Sequence, residues 1–232
     1  MVNSPIHVLQ TNLRETEVLL QAAALHRVPV LLTSTSEVYG KSQKPGFTED
    51  DDLLIGPPHQ ARWGYACSKL MDEFLALAYA KERALPVTIV RLFNTVGPRQ
   101  TGRYGMVLPR FLAAAQANLP IKVFGDGEQT RCFCYVCDAV EALIRLQNCP
   151  AARGEVFNVG STEEVSIKQL AEMVIQLLGS KSTVELVPYN QAYAPGFDDM
   201  RRRKPVIEKL ANAVGFKPAI GLEEIIRKTS VL

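Results

Sequence analysis

The sequence predicts an α/β fold with parallel strands, on three observations. Two short apolar runs rich in β-branched residues and leucine, VPVLLTST at 28–35 and LPVTIVRLFN at 85–94, have the length and composition of buried strands. Each follows a longer segment whose apolar residues recur at three- and four-residue spacing, as on an amphipathic helix. The order helix, strand, helix, strand requires crossovers, and crossovers pair strands in parallel. Of the 232 residues, 47% are hydrophobic and 22% charged, so a sizeable core is expected and global disorder is not.

Taken in order, PIHVLQTNLRETEVLLQAAAL is the first helix, uninterrupted by Gly or Pro after Pro5, and VPVLLTST the first strand. GFTEDDDLLIGPP is loop. The second helix runs from about Tyr65 to Glu82, with Leu70, Phe74, Leu75 and Leu77 as its apolar stripe, and LPVTIVRLFN is the second strand. Beyond it, VLPRFLAAAQANL reads as helix, IKVFG as strand, DAVEALIRLQ as helix and EVFNVG as strand. Ser166, followed three residues on by Gln169, starts a further helix as a capping box. Ile167, Leu170, Met173, Val174, Leu177 and Leu178 form its apolar face, and Gly179 ends it. Leu222 to Lys228 is a last amphipathic turn or two.

Several classes are disfavoured. A net charge of +2 is too small to argue for nucleic acid or an anionic membrane. No apolar run approaches the ~20 residues that span a bilayer. MVNSPIHVLQTNLRE lacks the basic start and apolar stretch of a leader, and five cysteines form no spaced framework, which together point to the reducing cytoplasm. Cys132, Cys134 and Cys137 lie in RCFCYVCD. Period-two alternation sends Cys132 and Cys134 to one face of a strand, where buried thiols act as small hydrophobes, and no fourth ligand for a metal is at hand.

The chemistry gathers at YACSK and TSTSEVYG. Tyr65 and Lys69 are four residues apart and share a helix face. A free tyrosine ionises near pH 10, and an ammonium beside it favours the phenolate, so the pair can exchange a proton with a substrate hydroxyl at neutral pH. Thr35, at the carboxyl end of the first strand, is placed where ligand crevices open in parallel α/β sheets and can bridge phenol and substrate. Tyr and Lys at this spacing also occur in many helices with no such role.

The segments STSEVYG, YACSK, RLFNTVGPRQTGRYGMVLPRF, VFGDGEQTRCFCYV and EVFNVGS, in this order and spacing, resemble the NAD-dependent epimerase/dehydratase family of nucleotide-sugar enzymes, which are extended short-chain dehydrogenases. The resemblance runs from about residue 4 to residue 228. It implies Tyr65 as catalytic acid/base, Lys69 as the group that lowers its pKa and holds the nicotinamide ribose, and Thr35 as the hydroxyl sharing the substrate proton. Glu37 joins them as a fourth catalytic candidate. Thr33, Ser34, Leu92 and Phe93 would lie beside the NAD cofactor. Ser36, Asn94 and Arg131 would contact the UDP-sugar, Val107 and Phe124 would line the base pocket, and Arg203 would meet an acidic sugar. Ser36-Glu37 and Arg203-Lys204-Pro205 match UDP-glucuronate decarboxylases, whereas GFDDMRRR and ARWGYACSK look more like bacterial UDP-sugar 4-epimerases. Both activities pass through a 4-keto sugar, with 4-epimerisation preferred here and decarboxylation as the alternative. The resemblance also implies a homodimer formed by the YxxxK helix and the helix before it.

Members of that family begin with a strand, a glycine-rich turn and a helix that holds the dinucleotide pyrophosphate. This sequence has no glycine before Gly40, and Gly125 and Gly127 do not complete such a turn. Asn12 and Thr16, one turn apart, match the helix after the family's fourth strand. The expected architecture is therefore a partial doubly wound, Rossmann-type parallel sheet lacking its first strands, with a smaller mixed α/β substrate-binding region. Residues 1–95 would be the remainder of the dinucleotide-binding domain and 96–232 mainly the nucleotide-sugar region, with segments near 130–160 returning to the first. An N-terminally truncated enzyme is the preferred reading, with a chain whose partner supplies the missing half and a non-catalytic nucleotide-sugar binder as the alternatives.

Overall fold

The computed structural model describes residues 4–102, 106–192 and 200–231. Phe197, Asp198 and Asp199 of the GFDDMRRR match, and the Arg-Tyr-Gly of GRYGMV, lie outside the described residues.

Helix α1 (Pro5–His26) is capped at its start by Ser4, whose hydroxyl accepts from the His7 N–H at 3.2 Å, and ends at Arg27 in the left-handed region. Strand β1 (Val30–Thr35) runs directly into a 3-10 turn, Ser36–Tyr39. That turn stops at Gly40, whose φ of +60° and close approach to the Leu54 carbonyl leave no room for a Cβ. Helix α2 (Ala61–Arg83) begins one turn earlier than its sequence periodicity suggests, then β2 (Val87–Leu92) and β3 (Thr95–Val96) follow. The second half supplies α3 (Val107–Gln116), β4 (Ile121–Phe124), β5 (Thr130–Cys132), β6 (Cys134–Tyr135), α4 (Val136–Gln147), β7 (Glu155–Val159), β8 (Glu164–Ser166) and α5 (Ile167–Leu178). It closes with β9 (Val184–Val187), α6 (Tyr189–Ala192), α7 (Glu208–Val214) and α8 (Leu222–Ser230). The α5 capping box forms as expected, with Ser166 Oγ and Gln169 Oε1 each accepting the other residue's backbone N–H at 3.1 Å.

The main sheet has the order β1-β2-β7, all parallel, as the alternation of helices and strands requires. Its register aligns Ser34, Arg91 and Asn158 in one row and Thr35, Leu92 and Val159 in the next, at the carboxyl ends of the strands. Residues paired across parallel strands face the same side, so the first row is a row of polar side chains. All three are buried. Leu20, Ala76, Val87 and Ile89 pack α1 and α2 on one side of the sheet, and Ala142, Leu146, Phe157 and Leu210 pack α4 and α7 on the other. Among the described residues β1 is an edge of this sheet, and α1 buries only Thr16 and Leu20.

A second core of Leu108, Phe111, Leu170, Val174 and Ile225 joins α3, α5 and α8 under the two-stranded sheet β4-β9. Cys132 and Cys134 do not share one strand: Cys132 ends β5, antiparallel to β8, and Cys134 opens β6, parallel to β3. Both thiols are nevertheless buried, and burial pushes each up to about 12, so they behave as apolar side chains. No cluster of His, Cys, Asp or Glu suited to a metal occurs among the described residues, and no described helix is long and apolar enough to cross a membrane.

Candidate active site

The site forms where β1 and β2 end. Thr35 caps the 3-10 turn by accepting from the Glu37 N–H at 3.2 Å, which fixes its hydroxyl at the strand mouth. The Tyr65 phenol faces the Thr35 hydroxyl from α2, close enough for that hydroxyl to favour its ionised form, while Tyr65 as a whole stays 41% exposed. The two residues expected to act together are thus neighbours, with one side open.

A carboxylate–guanidinium cluster surrounds it. Glu37 accepts from Arg62 at 3.1 Å and from Arg203, and Arg203 also donates to Asn94 Oδ1 at 2.6 Å. The Asn94 amide in turn donates to the Cys132 carbonyl at 3.0 Å, tying the strand end to β5. Burial pushes the Glu37 carboxyl up, but Arg203 and Arg62 together outweigh it and hold the group below the usual carboxylate range. Glu37 is therefore an anion at neutral pH, clamped from two sides. Arg62 was not singled out in the sequence, although its place three residues before Tyr65 puts it on the same side of α2.

The Lys69 ammonium, expected to lower the pKa of Tyr65, donates to Asp72 Oδ2 at 2.8 Å, and the phenol is raised from its ordinary value. Burial is the main cause and the Glu37 carboxylate the next. The Thr35 hydroxyl and Arg203 pull the other way, Asp72 adds to the rise, and Lys69 is not among the principal influences. An ammonium already paired with a carboxylate has little net field left to stabilise a phenolate.

The remaining candidates divide by exposure. Thr33 is exposed and Leu92 half-buried, so both can flank a ligand at the strand ends. Ser34, Ser36 and Phe93 are buried, and the Ser34 hydroxyl is committed to Glu73. Ser36 Oγ has no hydrogen-bond partner. Arg131 is buried in β5 and donates to the Thr130 carbonyl at 2.8 Å, while Val107 opens α3 and Phe124 ends β4 under the Arg110 guanidinium, 4.6 Å from its ring centre. A cavity of about 670 Å³ nearby is lined by Lys41, Gln43, Trp63, Thr130, Met200 and Arg202 among others, and none of the expected site residues lines it.

Beneath the site lies a network that the sequence reading missed. Arg91 donates to both carboxylate oxygens of Glu73, to the Tyr39 hydroxyl at 3.0 Å and to the Glu49 carbonyl at 3.0 Å. Tyr39 donates to Asn158 Oδ1 at 2.7 Å, and the Asn158 N–H donates to Glu49 Oε1 at 2.7 Å. The available signal was Arg91 itself, a charge inside the apolar run VTIVRL. A buried strand tolerates such a charge only when it is paired.

Residues 1–160 match the model described as the NAD dependent epimerase/dehydratase family. The chain belongs to that family. Over 225 residues it is 44% identical to a UDP-N-acetyl-alpha-D-glucosaminuronate decarboxylase of Bacillus cytotoxicus, an alignment covering 97% of this chain and 69% of the relative. It is 35% identical over 236 residues to UDP-glucuronic acid decarboxylase 1 of Xenopus tropicalis, covering 97% of this chain and 52% of that one. The chain thus spans between about half and two thirds of these relatives' length. Among solved structures, a UDP-glucuronic acid 4-epimerase of Bacillus cereus in complex with UDP-glucuronic acid and NAD superposes with a TM-score of 0.83 at 27% identity, covering 95% of this chain and 67% of the other. An epimerase of Methanothermobacter thermautotrophicus gives a TM-score of 0.88 at 26% identity, covering 99% and 66%.

NAD is the cofactor of this family. The residues present fit its nicotinamide end: Thr33, Leu92 and the open side of Tyr65 lie at the strand mouths, and Lys69 keeps some exposure. The first glycine of the chain is Gly40, just past the 3-10 turn that follows β1.

Proposed function

We propose that this chain carries the acid/base and sugar-binding half of an enzyme acting on a UDP-linked hexuronic acid, with decarboxylation through a 4-keto sugar as the outcome. The observation that carries it is the meeting of the neighbouring Tyr65 and Thr35 with the Glu37–Arg203–Asn94 cluster. A proton-transfer group and a cationic anchor then stand side by side. The 44% identity to a UDP-hexuronate decarboxylase favours this outcome over the 4-epimerisation that the sequence reading put first.

In this reading Tyr65 Oη receives the proton of the sugar 4-hydroxyl, with the Thr35 hydroxyl bridging the two oxygens. NAD, when bound, supplies the hydride acceptor. The C4 ketone so formed lies β to the C6 carboxylate and accepts the electron pair released as CO₂ leaves, and the enolate takes a proton at C5 from solvent to restore the ketone, which the hydride then reduces. Arg203, held in place by Glu37 and Asn94, presents its guanidinium to the acidic sugar. Arg131, Val107 and Phe124 take the nucleotide, and Tyr65 returns its proton to O4 in the last step. The epimerase reading keeps the same residues and is favoured by the solved 4-epimerases that this fold matches. Apolar residues exposed on α1 and α2, among them Val18, Leu19, Met71 and Phe74, support pairing of two copies through these helices.

The test is incubation of the chain with NAD and UDP-glucuronate or UDP-N-acetylglucosaminuronate, with product analysis. Released CO₂ and a UDP-linked pentose, abolished in Tyr65→Phe with UDP-sugar affinity retained, are expected. A 4-epimer without CO₂ selects the epimerase, and binding without turnover selects the non-catalytic reading. A Tyr65→Phe variant retaining a tenth of the rate removes the role given to the phenol.

A further inference from the structure

Tyr65, Lys69 and Asp72 follow one another at i, i+4 and i+7 and so form one stripe along α2. Asp72 is fully enclosed, one of its oxygens accepts from Lys69 at 2.8 Å, and the other, Oδ1, has no hydrogen-bond partner. Buried carboxylate oxygens are ordinarily satisfied, and the open one here calls for a reason. The other oxygen is spent on a single ammonium, that of the lysine one turn along α2 from Tyr65.

The other charged groups around the stripe are already engaged elsewhere. Glu73, its neighbour on α2, is bound to Arg91 of β2 and Ser34 of β1. Glu37 of the 3-10 turn is held by Arg62 and by Arg203 of the C-terminal segment. From α1 come Asn12, which donates to Ser68 at 2.9 Å, and the buried Thr16, neither of which carries charge.

We propose that Asp72 is a positioning residue for the Tyr65–Lys69 pair: it locks the ammonium into a neutral ion pair and so sets how tightly the Tyr65 hydroxyl keeps its proton. The inference rests on the acid/base role given to Tyr65. With Asp72 in place, the resting site presents a protonated phenol, a proton donor.

The experiment reads the phenol directly. The full chain is labelled with 3-fluorotyrosine, which titrates at lower pH than tyrosine, and followed by ¹⁹F NMR. Tyr65→Phe identifies the Tyr65 signal among the seven tyrosines. Asp72→Asn is expected to lower the Tyr65 midpoint by about one pH unit, since it leaves a net cation nearby. Lys69→Gln is expected to raise it, and the double variant to lie close to wild type. A merely structural Asp72 would change the melting temperature without these opposed shifts. Should Asp72→Asn not fold, Asp72→Ser leaves room for water beside the ammonium and carries the same expectation. A Tyr65 midpoint unmoved or raised on loss of Asp72 overturns the proposal. The assay contains neither NAD nor sugar nucleotide. Opposed shifts without UDP-sugar turnover therefore leave this inference standing and remove the proposed function.

Discussion

Glu73→Gln is the substitution that tests the buried network most directly. The Glu73 carboxylate accepts from Arg91 Nε to each oxygen at 3.2 Å, from Arg91 Nη2 at 2.8 Å and from the Ser34 hydroxyl. The two side chains are only 6% and 3% exposed. Glutamine keeps the shape but removes the negative charge, and it turns an N–H group toward guanidinium N–H groups. Arg91 is left charged and enclosed, with the Tyr39 hydroxyl and the Glu49 carbonyl as its acceptors. Breaking one side of such a pair costs about 3–5 kcal/mol. With a urea slope of roughly 2 kcal/mol per molar, the unfolding midpoint should fall by about 2 M. The single tryptophan, Trp63, is 2% exposed and reports unfolding by fluorescence. A companion double variant, Glu73→Leu with Arg91→Met, leaves no buried charge and should lose less than Glu73→Gln alone. A Glu73→Gln midpoint within about 0.5 M of wild type at unchanged slope would refute the claim that this pair is desolvated and mutually dependent.

Further outcomes follow from single contacts. Glu37 has a depressed carboxyl pKa in the folded chain, so its contribution to stability is fully present above its ordinary value of 4.5 and is lost as pH falls through the folded value. Urea midpoints below about pH 4.5 should therefore fall less steeply in Glu37→Gln than in wild type. Parallel profiles would show that Arg62 and Arg203 do not hold the carboxylate. The subtraction also isolates Glu37 from Glu49, whose carboxyl burial pushes up and whose effect on the pH profile has the opposite sign. Ser166→Ala removes the hydroxyl that accepts the Gln169 N–H at 3.1 Å and should cost about 1 kcal/mol, seen as a urea midpoint lowered by roughly 0.5 M.

Much of the fold was legible because its signals are local. The β-branched runs at 30–35 and 87–92 became parallel strands, and Ser166, Gln169 and Gly179 bounded a helix as their side-chain chemistry dictates. Elements with weak local patterns escaped notice: β9, whose residues are half exposed, and α7, only seven residues long. The catalytic candidates were legible by motif, since Tyr65 and Lys69 are held at fixed spacing by one helix. Their electrostatics were not. Whether Lys69 serves the phenol or Asp72 depends on side-chain direction and burial, which spacing leaves open.

The sequence alone determined what hydrogen bonding between near neighbours and apolar periodicity can specify: the α/β alternation, the parallel pairing, and which residues are candidates for proton transfer. Tertiary structure alone decided which charges meet. Glu37, Arg62, Asn94 and Arg203 are scattered along the chain, and only the aligned strand ends and the returning C-terminal segment bring them together. Coulombic energy depends on distance through space and on exclusion of water, and neither quantity is written in the order of residues.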